Sequence, residues 1–190
     1  MKKRAKRESW IDAKLPDPHK LAQSVCKLSA RELVIIVSSF LESLLGDLIA
    51  GRLRPDKKEA AGFLGFNGDG RAPAASFGSR IQLAYLLSLI DENELKALRA
   101  VKSVRNIFAH RVVCSFEDDD IIKATEGIVE AIEQAGDKYA EQGRERSGET
   151  EWQNSRAKNI SSKDGRIGFF TGAGLVLINH LKNGRIRHWR

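Results

Sequence analysis

The fold is decided by residues 29–48, which read SARELVIIVSSFLESLLGDL. Ser29 and Glu32 form the S-x-x-E pattern of a capping box, in which each side chain accepts a hydrogen bond from the other residue's backbone and starts a helix. The apolar residues that follow recur every three or four positions, the spacing of one helical face. They are Leu33, Val37, Phe40, Leu41, Leu44 and Leu48. We therefore predict a helix of about 22 residues here.

Helical patterns continue along the chain. Residues 77–90 repeat the spacing, and Asp91 with Glu94 is a second cap, which opens a helix that ends near His110. The run Asp118–Asp120 places negative charge where a helix N-terminus favours it, so we interpret it as a helix start rather than a metal site. Strand-type alternation does not persist. We predict an all-α fold, a helical bundle of about five helices.

Composition divides the chain into four segments. Residues 1–20 hold two prolines and a basic run, which is typical of a mobile N-terminal arm. Residues 21–142 carry the helical patterns and form the predicted bundle core. Residues 143–165 are polar and charged, as in a linker or a helical extension. Residues 166–190 are predicted to form a C-terminal helix that packs on the bundle, followed by a basic tail.

The net charge of +7 belongs to the two ends of the chain. Residues 1–8 and residues 182–190 each carry +4, which leaves −1 for everything between them. Basic ends can bind phosphate without sequence preference, although charged ends that only maintain solubility are the alternative. The candidate nucleic-acid contacts in the two ends are Lys2, Lys3, Arg4, Arg185 and Arg187.

The sequence predicts a cytoplasmic protein. The basic start resembles a signal peptide, but Glu8, Asp12 and Lys14 follow where an apolar region is required. We find no apolar run of about 18 residues, so no membrane span is predicted. Cys26 and Cys114 have no Cys or His at metal-ligand spacing and are interpreted as buried thiols in a reducing compartment. No cofactor or metal is expected.

The segment VRNIFAH, residues 104–110, contains the strongest candidate for chemistry. His110 can move protons near neutral pH, and Arg105 can hold a phosphate through its planar guanidinium while Asn106 orients either group. These are the side chains needed to cleave RNA without a metal. On one straight helix, however, Arg105 and His110 are separated by roughly 140° of rotation. A shared site therefore requires that the helix end or bend near Ala109, that the long Arg105 side chain curl around the helix, or that a second subunit complete the site.

A structural interpretation of the same residues stays open. Arg105 can pair with Glu42 or Asp47 on a neighbouring helix, and His110 can be stabilised by a helix C-terminus while Asn106 bonds to the backbone there. Arg80, on the preceding helix, is a second possible phosphate contact. Its alternative is a solvated or salt-bridged residue.

Four segments in this order resemble the mannitol repressor family and, more widely, the HEPN superfamily of small helical domains. They are FLESL at 40–44, SFGSRIQLAYLLSLI at 76–90, VRNIFAH at 104–110 and SFEDDDI at 115–121. The resemblance covers about half of the chain, from about Leu33 to Ile132.

The resemblance implies two different functions. Mannitol-repressor-like proteins are regulators of gene expression, whereas HEPN nucleases use Arg-x4-6-His for metal-independent RNA cleavage where two subunits meet. Arg105, Asn106 and His110 match that nuclease motif. We expect a dimer of regulatory type whose activity, if it is an enzyme, is RNA cleavage. The alternative is a non-catalytic regulator that binds operator DNA or a protein partner, which for toxin-like relatives is an antitoxin.

Overall fold

The computed structural model of this chain describes residues 28–53, residues 57–141 and five positions between 170 and 181. The described part contains helices and turns but no strand, so the predicted all-α fold is confirmed. Its five helices are α1 (Ala30–Arg52), α2 (Lys57–Leu64), α3 (Phe77–Leu86), α4 (Glu92–His110) and α5 (Asp119–Glu141). The N-terminal arm and the linker at residues 143–165 lie outside the described residues.

Both predicted capping boxes are present. The Ser29 hydroxyl accepts from the Glu32 backbone at the start of α1, and Asp91 and Glu94 make the equivalent pair at the start of α4. The exposed Glu32 accepts hydrogen bonds from Ser29, which lower its pKa. Burial raises the pKa of Glu94 despite its bond to the Asp91 backbone. The same local sequence signal therefore starts a helix in an exposed and in a buried setting.

The first helix, α1, is the centre of the core. Its apolar residues are buried on more than one side, and α2, α3 and α4 all pack against it. By length and composition alone α1 could span a membrane, with a mean hydropathy of 2.0, although 67% of that window is buried inside the fold. The expectation of no such apolar run is therefore wrong for α1, because Glu42 and Asp47 interrupt it too sparsely.

The C-terminal segment contributes to the core at the positions that are described. Phe170, Ala173, Gly174, Leu177 and Leu181 have helical backbone and are buried. A side chain at position 174 would collide with Val37 of α1, so glycine permits close approach there. The Phe170 ring lies 5.7 Å from that of Phe116, which lies 5.2 Å from that of Phe108 at the end of α4.

Arg80 of α3 ties three parts of the chain together. Its guanidinium donates to the carbonyl oxygens of Ala74 at 3.0 Å, Glu42 at 3.1 Å and Leu64 at 2.7 Å. It also lies over the Phe66 ring, 5.2 Å from the centroid. Burial lowers the pKa of Arg80, and the negative charge of Glu42 opposes that shift. These contacts join α1, the end of α2 and the turn before α3.

Arg31, in the first turn of α1, connects that helix to the end of α4 through hydrogen bonds to backbone carbonyls. Its Nη1 donates to the Phe108 carbonyl at 2.6 Å, and its Nη2 donates to the carbonyls of Arg111 at 2.7 Å and Val112 at 2.9 Å. The last carbonyls of a helix have no partner within the helix. Arg31 supplies donors to this end of α4 and holds the chain that leaves it.

Replacing Arg80 with alanine should destabilise the fold strongly. The three carbonyls that now accept from a charged donor would lose it, and each such bond contributes about 1.5 to 3 kcal/mol. We expect the free energy of unfolding in urea to fall by about 3 kcal/mol or more. Arg99→Ala, at an exposed position of α4, is the control and should change it by about 0.5 kcal/mol at most. Equal values for the two variants would contradict this role of Arg80.

Replacing Arg31 with lysine keeps the charge but loses the planar fork, because an ammonium group is a compact donor that does not reach all three carbonyls. We expect the backbone amides of residues 108–111 to exchange with solvent about fivefold faster or more, while the middle of α4 is unchanged. Hydrogen exchange read by NMR measures this. Arg52→Lys, exposed at the other end of α1, is the matched control. Unchanged exchange at residues 108–111 would show that Arg31 does not stabilise the end of α4.

Candidate functional site

The Arg-Asn-x3-His segment lies on an unbroken helix. Helix α4 continues through His110, and the backbone N–H of the capping residue Arg111 donates to the Ile107 carbonyl at 3.0 Å. No bend intervenes before His110. Arg105 and His110 therefore keep roughly the 140° separation of a regular helix. Within the described part of one chain, the two side chains do not converge on a common pocket.

Arg105 is engaged by a carboxylate of the central helix. Its Nη2 lies 3.5 Å from Oε2 of Glu42, and the two side chains are 32% and 18% exposed. This is one of the two pairings that the structural interpretation of the motif anticipated. The pair is partly open to solvent, so its contribution to stability is small, about 1 kcal/mol or less. Its main effect is to direct the guanidinium toward α1 and away from the face that carries His110.

The other two motif residues face solvent. Asn106 and His110 are both exposed in the last two turns of α4. Among the described residues, neither side chain has a hydrogen-bond partner. His110 is the last residue of the helix. The motif therefore presents one restrained arginine and two accessible polar groups.

The remaining predicted contacts divide into two groups. Arg80 has its guanidinium occupied by three carbonyls and is 8% exposed, which supports a structural role and leaves little access for a phosphate. The terminal candidates lie outside the described residues, so their role stays a prediction. They are Lys2, Lys3, Arg4, Arg185 and Arg187.

The turn between α4 and α5 carries a feature that sequence reasoning missed. Val112 and Val113 lie in this turn, and they are 92% and 87% exposed. Glu117 and Asp119 are exposed beside them in the sequence. We call these four residues the α4–α5 loop surface. The sequence could indicate only that the two valines lie between two helices. It could not show that they are exposed while Phe108 and Phe116 on either side of them are buried.

The aspartate run behaves as a helix start. The Asp118 carbonyl accepts from the backbone N–H groups of Ile121 and Ile122, and Asp119 and Asp120 lie in the first turn of α5. Arg111 donates to Asp120 at 3.2 Å and lies 3.8 Å from Asp118. In the chain segments that the structure describes, no group of three or more His, Cys, Asp or Glu side chains is placed to hold a metal ion.

Comparison with known proteins gives one informative similarity. No protein family profile and no curated protein matches the chain. Among solved structures, it is similar to a chain in the X-ray structure of the MtlR–HPr complex from Escherichia coli, with a TM-score of 0.55 and 14% sequence identity. The similarity covers 86% of this chain and 97% of that one. The expected mannitol-repressor-like fold is thus confirmed, whereas the relationship to HEPN domains stays a prediction.

Proposed function

We propose that this chain is a regulatory protein that acts on gene expression by binding a protein partner. The observation that carries the proposal is the fold similarity to a chain of the MtlR–HPr complex, in which a mannitol repressor is assembled with another protein, HPr. We extend that mode of action to this chain and take HPr as the partner to test. Dimerisation, with the partner bound to each subunit, is compatible with this proposal.

The charge of the described body supports a protein rather than a nucleic acid as the partner. Residues 28–53 and 57–141 contain thirteen Lys and Arg against seventeen Asp and Glu. Nucleic-acid binding depends on neutralising phosphates with basic side chains, and an acidic body repels them. The basic ends of the chain remain as the candidate contacts for operator DNA, the alternative mode of regulation.

Titration calorimetry tests the proposal directly. Purified full-length chain should bind HPr from the same organism with a Kd of about 10 µM or tighter, as is typical of regulatory contacts of modest area. An unrelated folded protein in place of HPr is the control and should release no binding heat. Absence of HPr binding at several hundred micromolar, together with retained binding to operator DNA, would replace this proposal with the DNA-binding alternative.

RNA cleavage is the second candidate function, and the exposure of Asn106 and His110 is the observation that favours it. In that mechanism His110 takes the proton from a 2′-hydroxyl or gives one to the leaving 5′-oxygen, while Arg105 stabilises the charge on the phosphorane. The products are a 2′,3′-cyclic phosphate and a 5′-hydroxyl. Because one chain holds the two groups on different faces, a second subunit would have to complete the site.

An RNA assay in EDTA separates the two candidates. We expect no cleavage of a mixed RNA substrate above the buffer rate, because Glu42 pairs with Arg105 and the regular helix places His110 on a different face. Cleavage by the unmodified chain that is lost in both Arg105→Ala and His110→Ala, and retained in Arg99→Ala, would instead establish the nuclease. General acid–base catalysis accounts for about 10² to 10⁴ in rate, so loss on His110 substitution would be easily measured.

A further inference from the structure

We propose that the α4–α5 loop surface is where this chain docks its protein partner, and that the partner presents an apolar recess rimmed by Lys or Arg side chains. This rests on the proposed function and adds the location and the chemistry of the contact. Three properties of the described residues support it: the exposure of two apolar side chains, the restraint of the loop that carries them, and the sign of the charge around them.

The two valines are the most exposed large apolar residues in the described part of the chain. At 92% and 87% exposed they exceed Leu86, the next, at 69%. Single exposed apolar residues are ordinary on protein surfaces. Here two adjacent branched side chains project from the same loop, and burial of each in a partner would remove its apolar surface from water.

The loop is held in place at several points, so the exposure is a property of an ordered structure. Arg31 binds the carbonyl of Val112 itself, in addition to those at the end of α4. Phe108 before the loop and Phe116 after it are both buried and in ring contact. Arg111 is fixed by the carboxylates at the start of α5. A loop that is already ordered loses little conformational entropy on binding, which favours its use as a docking element.

The charge of the loop surface selects the kind of partner. Residues 110–120 contain one arginine and four carboxylates. That arginine, Arg111, is paired with Asp118 and Asp120. Glu117, which accepts from the Ser115 hydroxyl at 3.2 Å, and Asp119 are exposed a few residues after the valines and leave negative charge on this part of the chain. An apolar centre with a charged rim is the usual arrangement of a protein interface, and complementary charge on the partner guides association. A nucleic acid or an anionic membrane would be repelled.

The chain offers a matched control at the opposite end of α4. Leu86 is also exposed, but it lies shortly before the start of α4, whereas the valines follow its end. A helix of 19 residues is about 28 Å long at 1.5 Å per residue. A substitution at Leu86 thus removes exposed apolar surface, from one side chain rather than two, far from the proposed contact.

Calorimetric titration with HPr tests the proposal on the full chain. We expect the double variant Val112→Ser, Val113→Ser to bind about tenfold more weakly or worse, and Leu86→Ser to stay within about twofold of the unmodified chain. The charge reversal Glu117→Lys, Asp119→Lys should weaken binding most at low salt, since the rim acts through screened charges. Thermal unfolding of each variant verifies that the fold is retained, and the serine pair lies at positions exposed enough to leave it unaffected.

The outcomes separate this inference from the function on which it rests. If the unmodified chain binds HPr and the serine and lysine variants bind equally well, the loop surface is not the docking site and the proposed function stands. If the unmodified chain does not bind HPr, both proposals are overturned. Weaker binding in Leu86→Ser to the same degree as in the valine variant would also overturn the assignment, because the effect would not be specific to the loop.

Discussion

The burial of α1 is the constraint on which the rest of the structure depends. This helix is apolar over most of its circumference, so a folded chain must cover it from several directions to remove that surface from water. Helices α2, α3 and α4 and the described positions of the C-terminal segment do so. Once α1 is enclosed in this way, the positions of its neighbours follow, and charged side chains along it, such as Arg31 and Glu42, pair with groups on those neighbours.

Two of those polar side chains determine what α4 can do. Glu42 of α1 pairs with Arg105 of α4, and Arg31 of α1 binds backbone carbonyls at the C-terminal end of α4. The spacing of a regular helix already separates Arg105 from His110, and the ion pair holds Arg105 against α1. Arg31 restrains the loop that carries the two exposed valines. The packing of the core therefore weakens the case for a nuclease site within one chain and strengthens the case for a contact surface. The acidic balance of the described body points in the same direction.

The local elements of the fold were predictable because their signals are local. A serine or aspartate followed three residues later by glutamate marks a helix start regardless of what surrounds it, and both such signals proved correct. The geometry of a straight helix was also sufficient to separate Arg105 from His110. The ion pair with Glu42 was foreseen as an alternative, although sequence alone could not choose between Glu42 and Asp47, because the choice depends on how α1 and α4 are rotated against each other.

The contacts that were missed are those made between distant parts of the chain. The Arg80 guanidinium donates to carbonyl oxygens of α1, α2 and the turn before α3. No local sequence pattern encodes these contacts. The loop that carries Val112 and Val113 is bound by Arg31, which lies far earlier in the sequence. A pair of branched apolar residues is compatible with a buried or an exposed position. Tertiary structure was needed to distinguish these cases.

Methyl NMR of the full chain, labelled with ¹³C in its valines and titrated with HPr, tests the central claim most directly. The account predicts that the methyl signals of Val112 and Val113 shift or broaden first, while those of the buried Val34, Val37 and Val101 remain in place. Saturable binding without any change at Val112 and Val113 would contradict it.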